Sequence, residues 1–189
     1  MNTHAGHQFS QENLPPEIPK MTLEEFLESD LEGYEYIKGE LIPVPPTSLE
    51  HGNITTNLFL PLGLYVRENQ LGEVYAPDTG FKVGERVLMP DIAFLSNAHI
   101  PADRSKASPV PPDLAVEVVS PTDLFHRVEE KAFVYLEAGT QLVWVLKPIS
   151  KTVTIYRSET DITLLTRNDT LTGENVVEGF SCQVAELFE

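Results

Sequence analysis

The sequence predicts an α/β or α+β domain, a mixed sheet of short strands flanked by helices. Three observations carry this expectation. Short apolar segments bounded by Pro, Gly and Asp recur from Gly72 onward. Stretches of helical period stand before, between and after them. The segment Asp113–Ser120, inside PPDLAVEVVSP, holds Leu114, Ala115, Val116, Val118 and Val119, enough for a strand buried on both faces.

At 189 residues the chain suits one domain with a single sizeable core, expected over 19–189. Hydrophobic residues make up 41% and charged residues 22%, which is the balance of a globular protein. No apolar run approaches the roughly 18 residues of a membrane span, and the N-terminus lacks the basic and apolar regions of a signal peptide. One cysteine, Cys182, excludes an internal disulfide framework and fits a reducing cytoplasm. The formal net charge of −16 works against nonspecific binding to nucleic acid and to anionic membranes. It leaves room for a cation site built from some of the acids.

In chain order, residues 1–18 are polar and aperiodic, and are expected to form a disordered or loosely docked arm. Thr22 and Glu25 make a capping box before Leu23, Phe26 and Leu27 on one helix face. Tyr34–Ile37 and Glu40–Val44 read as a hairpin around Lys38-Gly39. Ser48 caps a longer helix reaching about Asn69, with a kink or break expected at Pro61. Strands are expected at Glu73–Ala76, Thr79–Val83 and Val87–Leu95, then a Pro-rich loop over 96–112. The central strand is followed by a helix from about Thr122 or Leu124 to Glu137, stopped by Gly139. Gln141–Leu146 is the next strand. Thr152–Arg157, Ile162–Arg167 and Asn175–Glu178 read as a meander of edge strands before an amphipathic tail, Val184–Phe188.

Four residues stand out against this background. Glu117 sits in the middle of the central strand, where an ionised carboxylate must be neutralised, paired or bound to a metal. Asp91 opens an apolar strand in MPDIAFL, Lys131 lies on the next helix in EEKAFVYLEAG, and Glu35 lies between two tyrosines of the hairpin. If Asp91 and Glu117 stand on neighbouring strands, they can converge on one hard cation such as Mg²⁺, which takes oxygen ligands and keeps several waters. Each also has an ordinary reading: a turn residue for Asp91, an ion pair with Lys131 for Glu117, solvated side chains for Lys131 and Glu35. His51 can line such a site, though a lone histidine on an apolar helix is usually a structural residue. His4, His7, His99 and His126 have no partner at a recognisable spacing, and no GxSxG, P-loop, GxGxxG or CxxC motif is present.

YEYIKGEL, MPDIAFL, PPDLAVEVVSP, EEKAFVYLEAG and QLVWVL, in that order, resemble the PD-(D/E)xK, restriction-endonuclease-like superfamily, and within it the Uma-type family of restriction endonucleases. The resemblance covers residues 20–188. It implies a central mixed β-sheet flanked by helices, and a divalent metal, Mg²⁺ or Mn²⁺, held by the motif acids. Asp91 matches the motif aspartate, Glu117 the second acid and Glu35 the extra N-terminal acid. The superfamily lysine stands two residues after the second acid, where this chain has Val119; Lys131, on the following helix, is its replacement, as in the Uma-type branch. The implied activity is metal-dependent hydrolysis of nucleic-acid phosphodiesters, with DNA as substrate and a 5′-phosphate product. The implied metal ligands are Asp91, Glu117 and the Glu117–Val118 peptide carbonyl (Val118), and the implied assembly is a homodimer. The alternative is a binding or accessory module that keeps the nuclease fold with weak or no cleavage. A carboxylate-pair glycosidase would use two acids but leaves Lys131 unexplained.

Overall fold

The computed structural model describes residues 20–120 and 125–189. The expected arm with His4 and His7 lies outside the described residues. So do the expected helix start at Thr122 or Leu124 and the side chain of His126.

Local chemistry sets the first elements. The Thr22 hydroxyl accepts from Glu25 N while Glu25 Oε2 accepts from Thr22 N, so the capping box opens α1 (Leu23–Glu28). Strands β1 (Tyr34–Ile37) and β2 (Glu40–Pro43) pair antiparallel. Their turn residues Lys38 and Gly39 both have positive φ, 49° and 95°, the requirement of a type I′ turn. Ser48 Oγ then accepts from His51 N and opens α2 (Leu49–Glu68). The break expected at Pro61 does not split α2. Pro61 faces solvent, while Leu58, Leu62 and Val66 on either side of it are buried in the core, and that burial holds both halves to one sheet.

After β3 (Gly72–Tyr75) and β4 (Phe81–Val83), the single strand expected over Val87–Leu95 is two: β5 (Arg86–Leu88) and β6 (Ile92–Ser96). They belong to different sheets. β5 sits in a four-stranded sheet of order β2-β1-β5-β4. Pro90 has no N–H to give a ladder, so the chain leaves that sheet at Met89 and enters the larger one after Asp91. The larger sheet adds β7 (Leu114–Val118), β8 (Leu142–Lys147), β9 (Thr152–Tyr156) and β10 (Ile162–Leu165), in the order β10-β9-β8-β7-β6-β3. β7 and β8 are parallel, with α3 (Phe125–Glu137) between them in the chain; the other pairs are antiparallel. The mixed sheet flanked by helices is thus the architecture expected.

The strand expected at Asn175–Glu178 is a turn instead. Gly173 O accepts from Val177 N at 2.8 Å and Gly173 N donates to Phe180 O at 2.9 Å, which folds the segment over a fully buried Val177. The short ribbon beside it pairs β11 (Thr170–Thr172) with β12 (Ser181–Gln183), and a 3₁₀ turn, Val184–Phe188, follows.

Strand alternation divides the core by sheet face. Ile92, Phe94, Leu114, Val116 and Val118 pack with the buried residues of α2. Ala93, Leu95, Ala115, Val143 and Val145 pack with Ala132 and Tyr135 of α3. Glu117 has the parity of Ala115 and therefore belongs to the α3 face. Among the described residues, no helix is long and apolar enough to cross a membrane.

Candidate active site

The β6–β7 ladder runs from Phe94↔Leu114 to Ile92↔Val116 and stops there. One further step would set Asp91 opposite Glu117. The Asp91 side chain takes over from the ladder: its Oδ2 accepts the Val118 N–H at 2.7 Å. The same oxygen lies 3.2 Å from Nε2 of His51, in the first turn of α2. The Val118 main chain also lies within hydrogen-bonding reach of that ring. The hydrogen bond to Asp91 raises the His51 pKa, against the opposing effect of burial.

Glu117 is gripped from α3. Its Oε1 accepts from Tyr135 Oη at 2.9 Å and lies 2.9 Å from Lys131 Nζ. Lys131 and Tyr135 are four residues apart, one above the other on the same helix face. Lys131 Nζ also donates to Glu35 Oε1 at 3.0 Å, and that oxygen takes the Met89 N–H at 3.0 Å. A chain of contacts therefore runs from Glu35 in the small sheet through Lys131 to Glu117 in the large one. It spans the segment where the backbone changes sheets.

Burial pushes Glu117 up to about 7; Lys131 opposes that rise, and Asp91 and Glu35 add to it. Burial by itself would lower Lys131, but Glu117 and Glu35 outweigh it and hold the ammonium above its ordinary range. Burial, followed by the charge of Glu117, raises the Tyr135 phenol well above its usual value. At neutral pH the cluster contains a charged lysine, a protonated phenol and a glutamate near its midpoint.

The four residues singled out in the sequence thus meet in one place. The Glu117–Lys131 ion pair foreseen as the ordinary alternative is present within it. One neighbour was missed: Tyr135, whose one signal was its position four residues after Lys131. His51, named from the sequence as able to line the site though more often a structural residue, makes its contact through the tertiary meeting of the α2 N-terminus with the end of β6. His99 is elsewhere: its Nδ1 lies 2.7 Å from Asp113 Oδ1, just before the start of β7. Cys182 is pushed up to about 12 by burial and is chemically quiet.

The donor chemistry suits a hard divalent cation. Among the described residues, Asp91 Oδ1 and Glu117 Oε2 accept no hydrogen bond, and both side chains retain some exposure, 17% and 13%. No three His, Cys, Asp or Glu side chains among the described residues form a metal-holding group. The side chains' share is then two carboxylates, which suffices for an ion that keeps several waters.

The chain matches, over residues 22–185, the family described as "Uma2: Putative restriction endonuclease". It belongs to this family. A similar solved structure is the "putative nuclease belonging to DUF820 from Anabaena variabilis ATCC 29413", with a TM-score of 0.77 and 22% identity. The match covers 89% of this chain and 97% of that one, and it shows a shared fold. No curated protein matches the chain. In this Uma2 member Val119 packs against the apolar cluster on the α3 face, and the ammonium at Glu117 comes from Lys131.

Proposed function

We propose that this Uma2 protein is a divalent-metal-dependent endonuclease that hydrolyses DNA phosphodiesters to leave 5′-phosphates. The observation that carries the proposal is the Lys131 ammonium shared between Glu117 and Glu35, beside an Asp91 held at the end of the neighbouring strand. Asp91 and Glu117, with the Val118 carbonyl, would hold Mg²⁺ or Mn²⁺. Such an ion, when bound, supplies Lewis-acid charge for the phosphate and lowers the pKa of water. Lys131 orients the attacking water and stabilises charge developing on the phosphate. Glu35 keeps the ammonium at that position, and Tyr135 fixes the Glu117 carboxylate by taking one of its oxygens. Cutting both strands calls for two such sites, so the reading includes pairing of two copies. It also includes a cytoplasmic setting, where Cys182 stays reduced.

Plasmid nicking in Mg²⁺ or Mn²⁺ tests this. Wild type is expected to nick, with Asp91→Ala and Lys131→Ala each reduced by about 100-fold or more. Equal cleavage by all three proteins would overturn the assignment. A second reading, a nuclease-fold accessory module, is favoured by the ion-paired state of Lys131 and the net charge of −16. Calorimetry showing no divalent-cation binding would select it.

A further inference from the structure

We infer that two copies of this chain pair edge to edge through β10, antiparallel about Thr163, and so join their six-stranded sheets into one. The inference rests on the pairing of two copies in the reading above and adds the surface that makes it.

β10 is an outer strand of the larger sheet, and its free edge lacks the protection that other edges carry. At the opposite edge, Glu73 of β3 is ion-paired with Arg104. In the smaller sheet β2 ends on Pro43. Beside β4 the chain returns, with Lys82 N donating to Ser108 O and Ser108 N to Gly80 O. β10, Ile162–Leu165, contains neither a charge nor a proline. Ile162 stands across from Tyr156, so it and Leu164 lie on the α3 face, where they are 42% and 58% exposed.

The hydrogen-bond pattern selects the register. Arg157 N donates to Asp161 O at 3.0 Å, so Asp161, Thr163 and Leu165 turn their main-chain groups toward β9. Ile162 and Leu164 turn theirs outward. A two-fold axis through Thr163 sets Ile162 across from Leu164 of the second copy, and each pair exchanges both bonds. Centring on Ile162 instead would call on Thr160 N, which already donates to Ser158 Oγ at 3.2 Å. Centring on Leu164 would call on Thr166 N, which already donates to Asp169 Oδ2 at 2.7 Å.

Charge agrees with the Thr163 register. It brings Glu159 toward Arg167 of the second copy, and both residues are exposed just beyond the strand ends. The edge is also held in place before any partner arrives. Arg157 Nη1 donates to Thr163 Oγ1 at 2.9 Å, and Glu174 anchors the same guanidinium. Because the pairing is two-fold, each sheet's free edge is used once and the assembly closes at two copies.

Sedimentation equilibrium and amide hydrogen exchange on the full chain test this. Wild type is expected to be a dimer at micromolar concentration, with the Ile162 and Leu164 amides protected in it. Leu164→Lys, at an exposed position, is expected to give a monomer whose circular dichroism is that of wild type. Glu159→Arg should weaken association about tenfold or more, because each pair occurs twice, and adding Arg167→Glu should restore it. A dimer unchanged in both Leu164→Lys and Glu159→Arg would overturn the β10 interface and leave the pairing of two copies standing. A wild-type monomer at every concentration would overturn the interface and the pairing together, while plasmid nicking reports on cleavage independently. Protection of the two amides in a monomer would overturn the interface by giving this edge to another segment of the chain.

Discussion

Glu117 is the residue on which the site's proton balance turns. Its pKa of about 7 in the folded chain stands above an ordinary 4.5, chiefly through burial, and that of His51 is raised through its bond to Asp91. Lys131 and Tyr135, which face Glu117, are both pushed upward and stay protonated at neutral pH. A raised folded-state pKa means that the native state binds more protons than the unfolded one. The stability from Glu117 is therefore full below about 4.5 and lost as pH rises through about 7; the contribution of His51 falls in the same direction above 6.5. In chelator-treated protein, the unfolding midpoint is expected to fall between pH 5 and 8. Glu117→Gln should flatten that fall, because one extra native-bound proton contributes about 1.4 kcal/mol per pH unit at its steepest. Identical pH slopes for wild type and variant, measured by thermal melts, would rule this out. At this scale the sequence was informative where a residue broke its own pattern, as an acid inside a hydrophobic strand does. It was silent where a residue fitted its pattern: Tyr135 reads as core, and only packing gives it Glu117. For His51 it offered a place in the site but no partner, and packing supplies Asp91.

Among the elements, the join between β5 and β6 does most to build the site. From the sequence, Val87–Leu95 is one apolar run, because burial looks the same in either sheet. Pro90 and Asp91 marked an interruption, and whether a proline ends a ladder or sits at an edge is decided by which partner strand lies alongside. The same limit explains Asn175–Glu178, whose apolar Val176 and Val177 serve a buried turn. By contrast, the hairpin and both helix caps were legible, since they depend on residues only a few positions apart. Pro61 was read as a kink or break, and α2 runs through it without a break. A proline there cannot donate to the carbonyl of Asn57 and crowds it, at a cost of about 3 kcal/mol in an ordinary helix interior. Because Pro61 is exposed and its neighbours Leu58 and Leu62 are fully buried, Pro61→Ala should relieve that cost without disturbing the core. The expected gain is about 1–3 kcal/mol, seen as a rise of several degrees in melting temperature at roughly 2–4 °C per kcal/mol. An unchanged or lower midpoint would show that α2 accommodates the proline without strain.

Over the whole molecule, charge bears on how the DNA of the proposed reading would be met. The chain carries 29 acidic and 13 basic residues, and Arg104, Lys106, Lys131 and Arg157 are already engaged in ion pairs. Each phosphate neutralised by a protein cation contributes about −0.9 to the slope of log affinity against log salt on duplex DNA. On the proposed reading, a protein with a net charge of −16 gains less from such contacts, and its binding to DNA would draw on the cation at the site. Without divalent ions, duplex DNA is expected to bind weakly, near the nonspecific range of about 10⁻⁴ M. With Ca²⁺ present, which offers charge with the same hard-oxygen preference as Mg²⁺, affinity should rise by at least about tenfold. The salt slope should remain shallower than about −3, corresponding to three or fewer protein–phosphate contacts. Asp91→Ala should abolish the effect of Ca²⁺ and leave the weak background unchanged. Fluorescence anisotropy on a labelled duplex across a salt series measures all of these. Tight binding in chelator with a steep slope would mean that the DNA is held by a basic surface and that the acidic cluster has no part in recruiting it.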